Sequence, residues 1–192
     1  MRIIGGRLKG RRLAGVKGQI RPTADRVREA IFNILGPEGP GSLVLDLFAG
    51  TGALGIEALS RGAVAAVFVE NQLTSLQVLR RNLSQCALSE VSRIIPLAAE
   101  KALPKLAAAG ERFSLIFLDP PYGRGLAAST LLLLARKILL APNGHVIVEH
   151  SRLENLTEQY QDLRRHDQRR YGATLISFYS CRHQEDSGGP EA

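Results

Sequence analysis

The segment 43–55, LVLDLFAGTGALG, constrains the fold of this chain more than any other stretch. It begins with a short apolar run that contains a single acid, Asp46, and then passes through three glycines at positions 50, 52 and 55. An apolar run that is followed at once by closely spaced glycines is typical of a buried parallel strand that turns tightly into a helix. The glycines let a ligand approach the backbone, and we expect the amides that open the helix to be free donors. The segment therefore predicts a ligand-binding loop.

Two acids near this loop indicate which ligand it suits. Gly50, Gly52 and Gly55 match the dinucleotide pattern G-x-G-x-x-G, and Glu70 follows the next apolar run, where an acid would bind a ribose. The carboxylate of Asp46 would repel a pyrophosphate but attract an ammonium and a sulfonium group. S-adenosylmethionine carries both cations and a ribose, so the pattern favours this cofactor. A strand-to-helix turn capped by acids, without a ligand, is the alternative.

The composition favours one domain with a polyanionic partner. A chain of 192 residues with 45% hydrophobic content is long enough for one core and short for two. Lys and Arg number 25 against 18 Asp and Glu, which gives a net charge of +7 that is spread unevenly along the chain. Cys86 and Cys181 lack metal-ligand spacing, so we expect no metal, no disulfide and a reducing cytoplasmic location. Because no apolar run approaches ~20 residues, we also expect no membrane association.

Residues 1–22 form a basic, glycine-rich segment without acids. The pattern predicts a small hairpin or an arm that becomes ordered on binding, and a flexible leader is the alternative. Thr23 is placed to cap a helix whose buried face includes Val27 and Ile31. The cations of this region that are candidates for contacts with a nucleic acid, rather than for simple solvation, are Arg2, Arg7, Lys9, Arg11, Arg12, Arg21, Arg26 and Arg28.

From residue 43 onward, apolar runs alternate with helical patterns, including an apolar helix predicted at 131–140. The alternation predicts a parallel sheet with helices on both faces and a ligand at the carboxyl ends of the strands. An antiparallel pair is predicted at 163–170 and 174–181. We divide the chain into an N-terminal extension, one domain and a disordered tail, at 1–22, 23–183 and 184–192.

The second informative stretch is Asp119-Pro120-Pro121-Tyr122, which follows an apolar run. The run predicts a strand that delivers an acid, two prolines and an aromatic ring to the ligand edge. The exocyclic amine of a nucleobase is a poor nucleophile, because its lone pair is delocalised into the ring. The carboxylate of Asp119 and the carbonyl of Pro120 could each accept one N–H of such an amine and aim its lone pair at an activated methyl group. Tyr122 would stack on a flipped or unpaired base, and an ordinary turn with a surface tyrosine is the alternative.

Methyl transfer from a sulfonium requires positioning and electrostatic stabilisation, so the sequence predicts neither a metal nor a covalent nucleophile. His145 and His150 bracket the predicted strand 146–149. Neither has the spacing to a catalytic partner, and we interpret them as a turn residue and a strand-end residue.

Four motifs, in this order, resemble the bacterial 16S ribosomal RNA guanine-N2 methyltransferase D family. They are R-P-T-x-D-R-V-R-E at 21–29, D-L-F-A-G-T-G at 46–52, D-P-P-Y at 119–122 and Y-G at 171–172. The resemblance implies an α/β fold of the class I S-adenosylmethionine-dependent (Rossmann-like) type, with a seven-stranded, mostly parallel sheet whose last strand is antiparallel. It also implies methylation of the exocyclic N2 amine of guanine 966 in the 16S rRNA of the small ribosomal subunit. We expect the protein to act as a monomer.

The resemblance also assigns roles to residues at the two central motifs and after the second and third strands. The residues implied to hold S-adenosylmethionine are Asp46, Phe48, Ala49, Gly50, Thr51, Gly52, Glu70, Asn71, Ala99 and Asp119. The residues implied to meet the guanine are Asp119, Pro120, Pro121 and Tyr122. Two other interpretations remain open. A DNA adenine-N6 methyltransferase would share both central motifs, and a non-catalytic RNA-binding module would explain the charge but not the D-P-P-Y motif.

Overall fold

The computed structural model describes residues 1–16, 24–36, 41–137 and 139–181. Arg21, the proposed helix cap Thr23 and the predicted tail 184–192 lie outside the described residues. Within the described ranges, no helix is long and apolar enough to cross a membrane.

The described residues form one sheet with helices on both faces. The strands are β1 (Leu43–Leu47), β2 (Ala65–Val69), β3 (Ser92–Ile95), β4 (Phe113–Leu118), β5 (Leu140–Ser151), β6 (Gln159–Tyr160), β7 (Leu163–Tyr171) and β8 (Thr174–Cys181). The α-helices are α1 (Ala24–Leu35), α2 (Ala53–Arg61), α3 (Leu73–Gln85), α4 (Ala99–Ala108) and α5 (Leu126–Arg136). Two short 3-10 turns cover Gly6–Leu8 and Ser89–Val91.

The strand order is β3-β2-β1-β4-β5-β8-β7-β6. Strands β1 to β5 pair in parallel, whereas β8 pairs antiparallel with β5, and β7 pairs antiparallel with both β8 and β6. This topology confirms the predicted α/β fold class and the antiparallel last strand. The described sheet has eight strands rather than seven, because the two-residue strand β6 adds to the edge at β7. Two residues are too few to leave a periodic signal in the sequence.

The helix predicted at 131–140 begins earlier and ends earlier than expected. It covers Leu126–Arg136, and Leu140 already belongs to β5. Gly125, which precedes the helix, has a φ of 65°, a left-handed conformation that glycine adopts without strain. Because both the helix and the start of β5 are apolar, periodicity alone does not locate the boundary between them.

Each face of the sheet has its own apolar core. On one face, α1, α2 and α3 pack against side chains such as Phe117, and the Phe32 and Phe117 rings lie 5.7 Å apart between centroids. On the other face, α4 and α5 pack against Leu45, Ile116 and Val148. Both faces of the sheet are therefore covered by helices, and the ligand site must lie at an edge where the strands end.

Residues 1–14 form a hairpin that packs on α2, and we call it the N-terminal hairpin. Arg2 and Arg12 form an antiparallel bridge, and the backbone amide of Ile3 donates to Arg11 at 3.0 Å. Ile3 and Leu13 are 1% and 6% exposed and belong to the core of the first face. The hairpin thus contributes apolar side chains to the core and presents its cations to solvent.

A buried carboxylate fastens the N-terminal hairpin to α2. Glu57 is fully buried and accepts the backbone amides of Ile4 and Gly5 at 2.9 and 2.7 Å. Its charge is balanced by Arg61 at 2.9 Å and by Arg28 at 3.5 Å. A buried carboxylate that lost one of these partners would be strongly destabilising, so the hairpin, α1 and α2 are held as one unit.

The glycines of the hairpin offer a matched test of this packing. Gly6 and Gly10 both have left-handed φ angles, of 72° and 85°. A Cβ on Gly6 would lie 1.9 Å from the carbonyl oxygen of Ser60, whereas a Cβ on Gly10 would meet nothing within 4 Å. We expect Gly6→Ala to reduce the free energy of unfolding by about 1–3 kcal/mol more than Gly10→Ala, because only the first change forces the hairpin off α2. Urea unfolding followed by circular dichroism measures the difference, and equal losses would contradict the packing.

Candidate active site

The strand registers bring four acids to one edge of the sheet, which we call the carboxyl edge. Asp46 of β1 lies opposite Phe68 of β2 and opposite Phe117 of β4, and Leu118 of β4 lies opposite Val148 of β5. Parallel strands that end at the same level place the residues that follow them side by side. The acids at or just beyond these strand ends are Asp46, Glu70, Asp119 and Glu149.

Glu70 connects the loops that follow β1 and β2. Its Oε2 accepts the amide of Gly50 at 2.8 Å, and its Oε1 accepts the amides of Asn71 and Gln72 at 2.7 Å each. The carbonyl of Val69 accepts two further amides, which belong to the residues just before Gly50. Residues 48–52, which we call the glycine loop, are therefore fixed to the end of β2, and the amide of Gly50 is committed inside the protein. In the first turn of α2, the amide of Gly55 is likewise not the free donor that the sequence predicted.

Asp46 is buried beneath the glycine loop. It is 1% exposed, and its Oδ2 accepts the amide of Gly55 at 3.0 Å, so this amide is also committed inside the protein. Burial raises the pKa of Asp46 to about 7; the Gly55 hydrogen bond opposes the rise, and the negative charge of Glu70 adds to it. A carboxylate in this position favours a cationic ligand and disfavours a pyrophosphate.

The glycines at positions 50, 52 and 55 have different roles. A Cβ on Gly50 would meet nothing closer than the Phe48 carbonyl oxygen at 4.0 Å, so the loop borders open space there. A Cβ on Gly52 would lie 2.5 Å from Leu79, and one on Gly55 would lie 2.3 Å from Phe68. Gly50 therefore leaves room for a ligand, while the other two let α2 pack closely.

Phe48 has a φ of 109°, a left-handed conformation that is costly for a residue with a side chain. It lies between the end of β1 and Gly50, where its amide donates to Val69 at 3.1 Å. Strain of this kind persists only where the surroundings impose it. The open space at Gly50, the strained loop and the two carboxylates together fit S-adenosylmethionine.

The D-P-P-Y loop follows β4 at the same edge. Asp119 is exposed, Pro120 is buried, and the Tyr122 hydroxyl donates to Glu149 Oε1 at 2.7 Å. The hydroxyl also lies 3.3 Å from Thr174 Oγ1. Burial raises the pKa of Tyr122 well above its usual value, and the negative charges of Glu149 and Asp119 add to this effect. The tyrosine is therefore neutral, and its ring is held in a fixed position.

The sequence did not identify the residues that hold this loop. Glu149 and Thr174 fix Tyr122, and Glu154 accepts the amides of Gly123 and Ser151 at 3.2 and 3.1 Å. Glu149 carries a usable signal, since it is an acid near the end of a predicted strand, as Glu70 is. The other two residues have no local signal, because their partners are distant in sequence.

His145 and His150 both lie in β5. His150 is 1% exposed, its Nδ1 donates to the Ser151 carbonyl at 3.2 Å, and its Nε2 lies 2.9 Å from Ser177 Oγ. Burial lowers the pKa of His150, which favours the neutral ring. His145 lies inside β5 rather than in a turn, and its ring packs 5.3 Å from that of His166.

The predicted RNA-contacting cations fall into two groups. Those that are exposed are Arg2, Arg7, Lys9, Arg11, Arg12 and Arg26. Arg28 is 3% exposed and donates to the Arg2 carbonyl at 2.6 Å and to Asp25 at 3.0 Å, in addition to its contact with Glu57. These surroundings favour a role for Arg28 inside the fold. Among the cations that the structure describes, we retain the exposed ones as candidates, and Arg21 stays a prediction.

The strand order and the loops at the carboxyl edge define the fold as that of the S-adenosylmethionine-dependent methyltransferases. SMU.776, described as "a putative methyltransferase complexed with SAH", has a TM-score of 0.67 at 16% identity, over 83% of this chain and 50% of that one. The protein described as "Putative methyltransferase yhhF from Escherichia coli" has a TM-score of 0.82 at 36% identity, over 94% and 97% of the two chains.

The family model described as "Conserved hypothetical protein 95" matches residues 1–180, and the chain belongs to this family. YlbH of Bacillus subtilis (strain 168) is 40% identical over 183 residues, which cover 95% of this chain and 100% of the relative. Ribosomal RNA small subunit methyltransferase D of Escherichia coli (strain K12) is 40% identical over 156 residues, which cover 81% and 76% of the two chains. The family resemblance found in the sequence is thereby confirmed.

The raised pKa of Asp46 predicts a pH-dependent stability of the cofactor-free protein. The folded state holds the Asp46 proton more firmly than the unfolded chain, whose pKa is near 3.8. Stability from this group is therefore greatest at low pH and is lost as the pH rises toward about 7. Between pH 5 and pH 8, the free energy of unfolding of the wild type relative to Asp46→Asn should fall by about 2–3 kcal/mol.

Asp162→Asn provides the control, because it makes the same change of side chain at an exposed position. Urea unfolding at a series of pH values gives both differences. A difference between the wild type and Asp46→Asn that does not change with pH would contradict the burial of an ionisable Asp46.

Proposed function

We propose that this protein is an S-adenosylmethionine-dependent rRNA methyltransferase that modifies the exocyclic N2 amine of guanine 966 in 16S rRNA. The observation that carries the proposal is the placement of two loops at one edge of the sheet: the glycine loop after β1 and the D-P-P-Y loop after β4. The relatives named ribosomal RNA small subunit methyltransferase D support an rRNA substrate. The choice of guanine N2 and of nucleotide 966 rests on the motif resemblance.

In this proposal the glycine loop would hold the cofactor. Asp46 and residues 48–52 would hold its methionine part, and Glu70 would bind its ribose. Glu70 Oε1 already accepts two amides, whereas Oε2 accepts one, so Oε2 retains a lone pair for a ribose hydroxyl. Asn71 is exposed beside it, and Ala99 lies at the start of α4, close in sequence to the end of β3, where the adenine would bind.

The D-P-P-Y loop then acts on the target amine. S-adenosylmethionine supplies a methyl group that is already activated by the sulfonium. Asp119 and the carbonyl of Pro120 accept the two N–H groups of the amine, which localises the nitrogen lone pair for attack on the methyl carbon. Transfer of the methyl group would leave S-adenosylhomocysteine and a methylated amine, whose extra proton would pass to water through the exposed carboxylate of Asp119. Tyr122, with its hydroxyl held by Glu149, offers a fixed ring for the flipped base.

The RNA would be held by cations on two surfaces. One is the N-terminal hairpin, where Arg7 and Lys9 are exposed. The other is the turn between β7 and β8, which reaches the carboxyl edge because the amide of Arg152, just after β5, donates to Ala173 at 2.9 Å. Arg169 and Arg170 are exposed beside this turn. We propose that the substrate is 16S rRNA in the small subunit and that the enzyme acts as a cytoplasmic monomer.

A methylation assay with mass spectrometry tests the proposed function. Purified protein, S-adenosylmethionine and 16S rRNA from cells that lack the gene are combined, both as naked RNA and as small subunits, with duplex DNA in parallel. We expect N2-methylguanine at nucleotide 966 and no product in DNA. Methylated adenine in DNA, or no transfer to either RNA form, would contradict the proposal.

Substitutions of Asp119 test the role of its carboxylate in the same assay. Asp119→Ala should reduce single-turnover methylation by about two to three orders of magnitude, because a preorganised polar partner of the transition state is removed. Asp119→Asn should reduce the rate of methylation less, since its amide oxygen still accepts one N–H. Affinity for SAH should change little in both variants. An Ala variant that binds SAH and methylates at the wild-type rate would show that Asp119 takes no part in the reaction.

Paired charge substitutions test the RNA surface of the N-terminal hairpin. Arg7→Gln with Lys9→Gln should weaken RNA binding and reduce the log–log salt slope by about 0.7–0.9 for each phosphate that the variant no longer neutralises. Lys105→Gln with Arg136→Gln is the control, because it removes one lysine and one arginine from exposed positions on α4 and α5. Filter binding over a salt series measures both slopes. Equal slopes in the two double variants would exclude the hairpin from the RNA surface.

A further inference from the structure

We propose that Asn82 is a positioning residue that links the glycine loop to the N-terminal hairpin, so that bound cofactor and bound RNA each strengthen the binding of the other. The inference rests on the proposed function, because it requires that the hairpin contacts RNA. It adds a physical connection between the two binding sites.

The side chain of Asn82 joins three segments of the chain. It extends from α3 and is fully buried. Its Oδ1 accepts the amide of Ala14 at 2.8 Å, and its Nδ2 donates to the Ala14 carbonyl at 3.1 Å. The same Nδ2 donates to the carbonyl of Thr51 at 2.9 Å. Ala14 ends the N-terminal hairpin, and Thr51 lies between Gly50 and Gly52 in the glycine loop.

The chemistry of the carboxamide makes this connection specific. A side-chain amide offers one acceptor oxygen and two N–H donors, and Asn82 uses both kinds of group. If either Ala14 or Thr51 moved away, a polar group would remain buried without its partner, which is unfavourable. The side chain therefore favours the state in which the hairpin and the glycine loop are both in place.

Ligand binding at one segment should then affect the other. Cofactor that contacts residues 48–52 further restricts the motion of the Thr51 carbonyl, and through Asn82 it also reduces the freedom of the hairpin at Ala14. When RNA then binds, the hairpin loses less conformational entropy than it would without cofactor. Linkage requires that RNA strengthens cofactor binding by the same factor.

Ser60 provides a matched comparison for this role. Its Oγ accepts the amide of Leu8 at 3.0 Å and donates to the Gly5 carbonyl at 2.6 Å, so it also fastens the hairpin. Its hydrogen bonds do not reach the glycine loop. Ser60→Ala should therefore loosen the hairpin without removing the connection between the two sites.

Calorimetry on the full-length protein tests the inference. The SAH dissociation constant is measured with and without a saturating 16S rRNA transcript, and the RNA dissociation constant with and without SAH. In the wild type we expect RNA to strengthen SAH binding by about fivefold or more, and SAH to strengthen RNA binding equally. Asn82→Ala should bring both ratios close to one, whereas Ser60→Ala should weaken RNA binding but keep the ratios.

Hydrogen exchange gives a second measurement that needs no variant. In the wild type, SAH alone should slow exchange of the Ala14 amide. Any of three results would overturn the inference. The ratios could be one in the wild type, they could persist in Asn82→Ala, or SAH could fail to slow the exchange of the Ala14 amide. If the wild type binds small subunits but not the transcript, the same ratios are measured with small subunits. A wild type that binds neither would instead contradict the proposed function, and the exchange of Ala14 would then decide on the link by itself.

Discussion

The hydrogen bonds of Glu70 hold the carboxyl edge of this protein together. One side chain accepts amides from Gly50 after β1 and from Asn71 and Gln72 after β2. Strand pairing brings the two strand ends close, but it does not determine the path of the loops beyond them. Because Glu70 fixes those paths, the strained backbone of Phe48 is maintained and the open space beside Gly50 keeps its shape. The buried charge of Glu70 also helps to raise the pKa of Asp46.

Helix α2 connects this edge to the N-terminal hairpin. Near its start, the amide of Gly55 is bound by Asp46. Farther along, Glu57 and Ser60 bind the backbone of the hairpin. One helix of nine residues therefore contacts both the candidate active site and the proposed RNA surface. This arrangement explains why an apolar core can include Ile3, a residue that composition alone would assign to a basic extension.

The sequence predicted the features that depend on local pattern. The glycine loop, Glu70 and the D-P-P-Y loop were all recognisable, because an apolar strand pattern, a turn signal and an acid lie next to one another in the sequence. Features that depend on distant partners were not recognisable. The burial of Arg28 follows from Glu57 on another helix, and Gly52 and Gly55 serve packing because Leu79 and Phe68 happen to lie beside them. The short strand β6 exists only through its pairing with β7.

The attachment of the N-terminal hairpin has a consequence for synthesis of the protein. The hydrogen-bond partners of Ile4, Gly5 and Ala14 lie 53, 52 and 68 positions later in the chain. During synthesis the hairpin leaves the ribosome before α2 and α3, so it has no surface to dock on until they have followed it. During that interval Ile3 and Leu13 are exposed to water, and the neighbouring arginines keep the nascent segment soluble. Although the hairpin is made before α2 and α3, it reaches its place only after both of them.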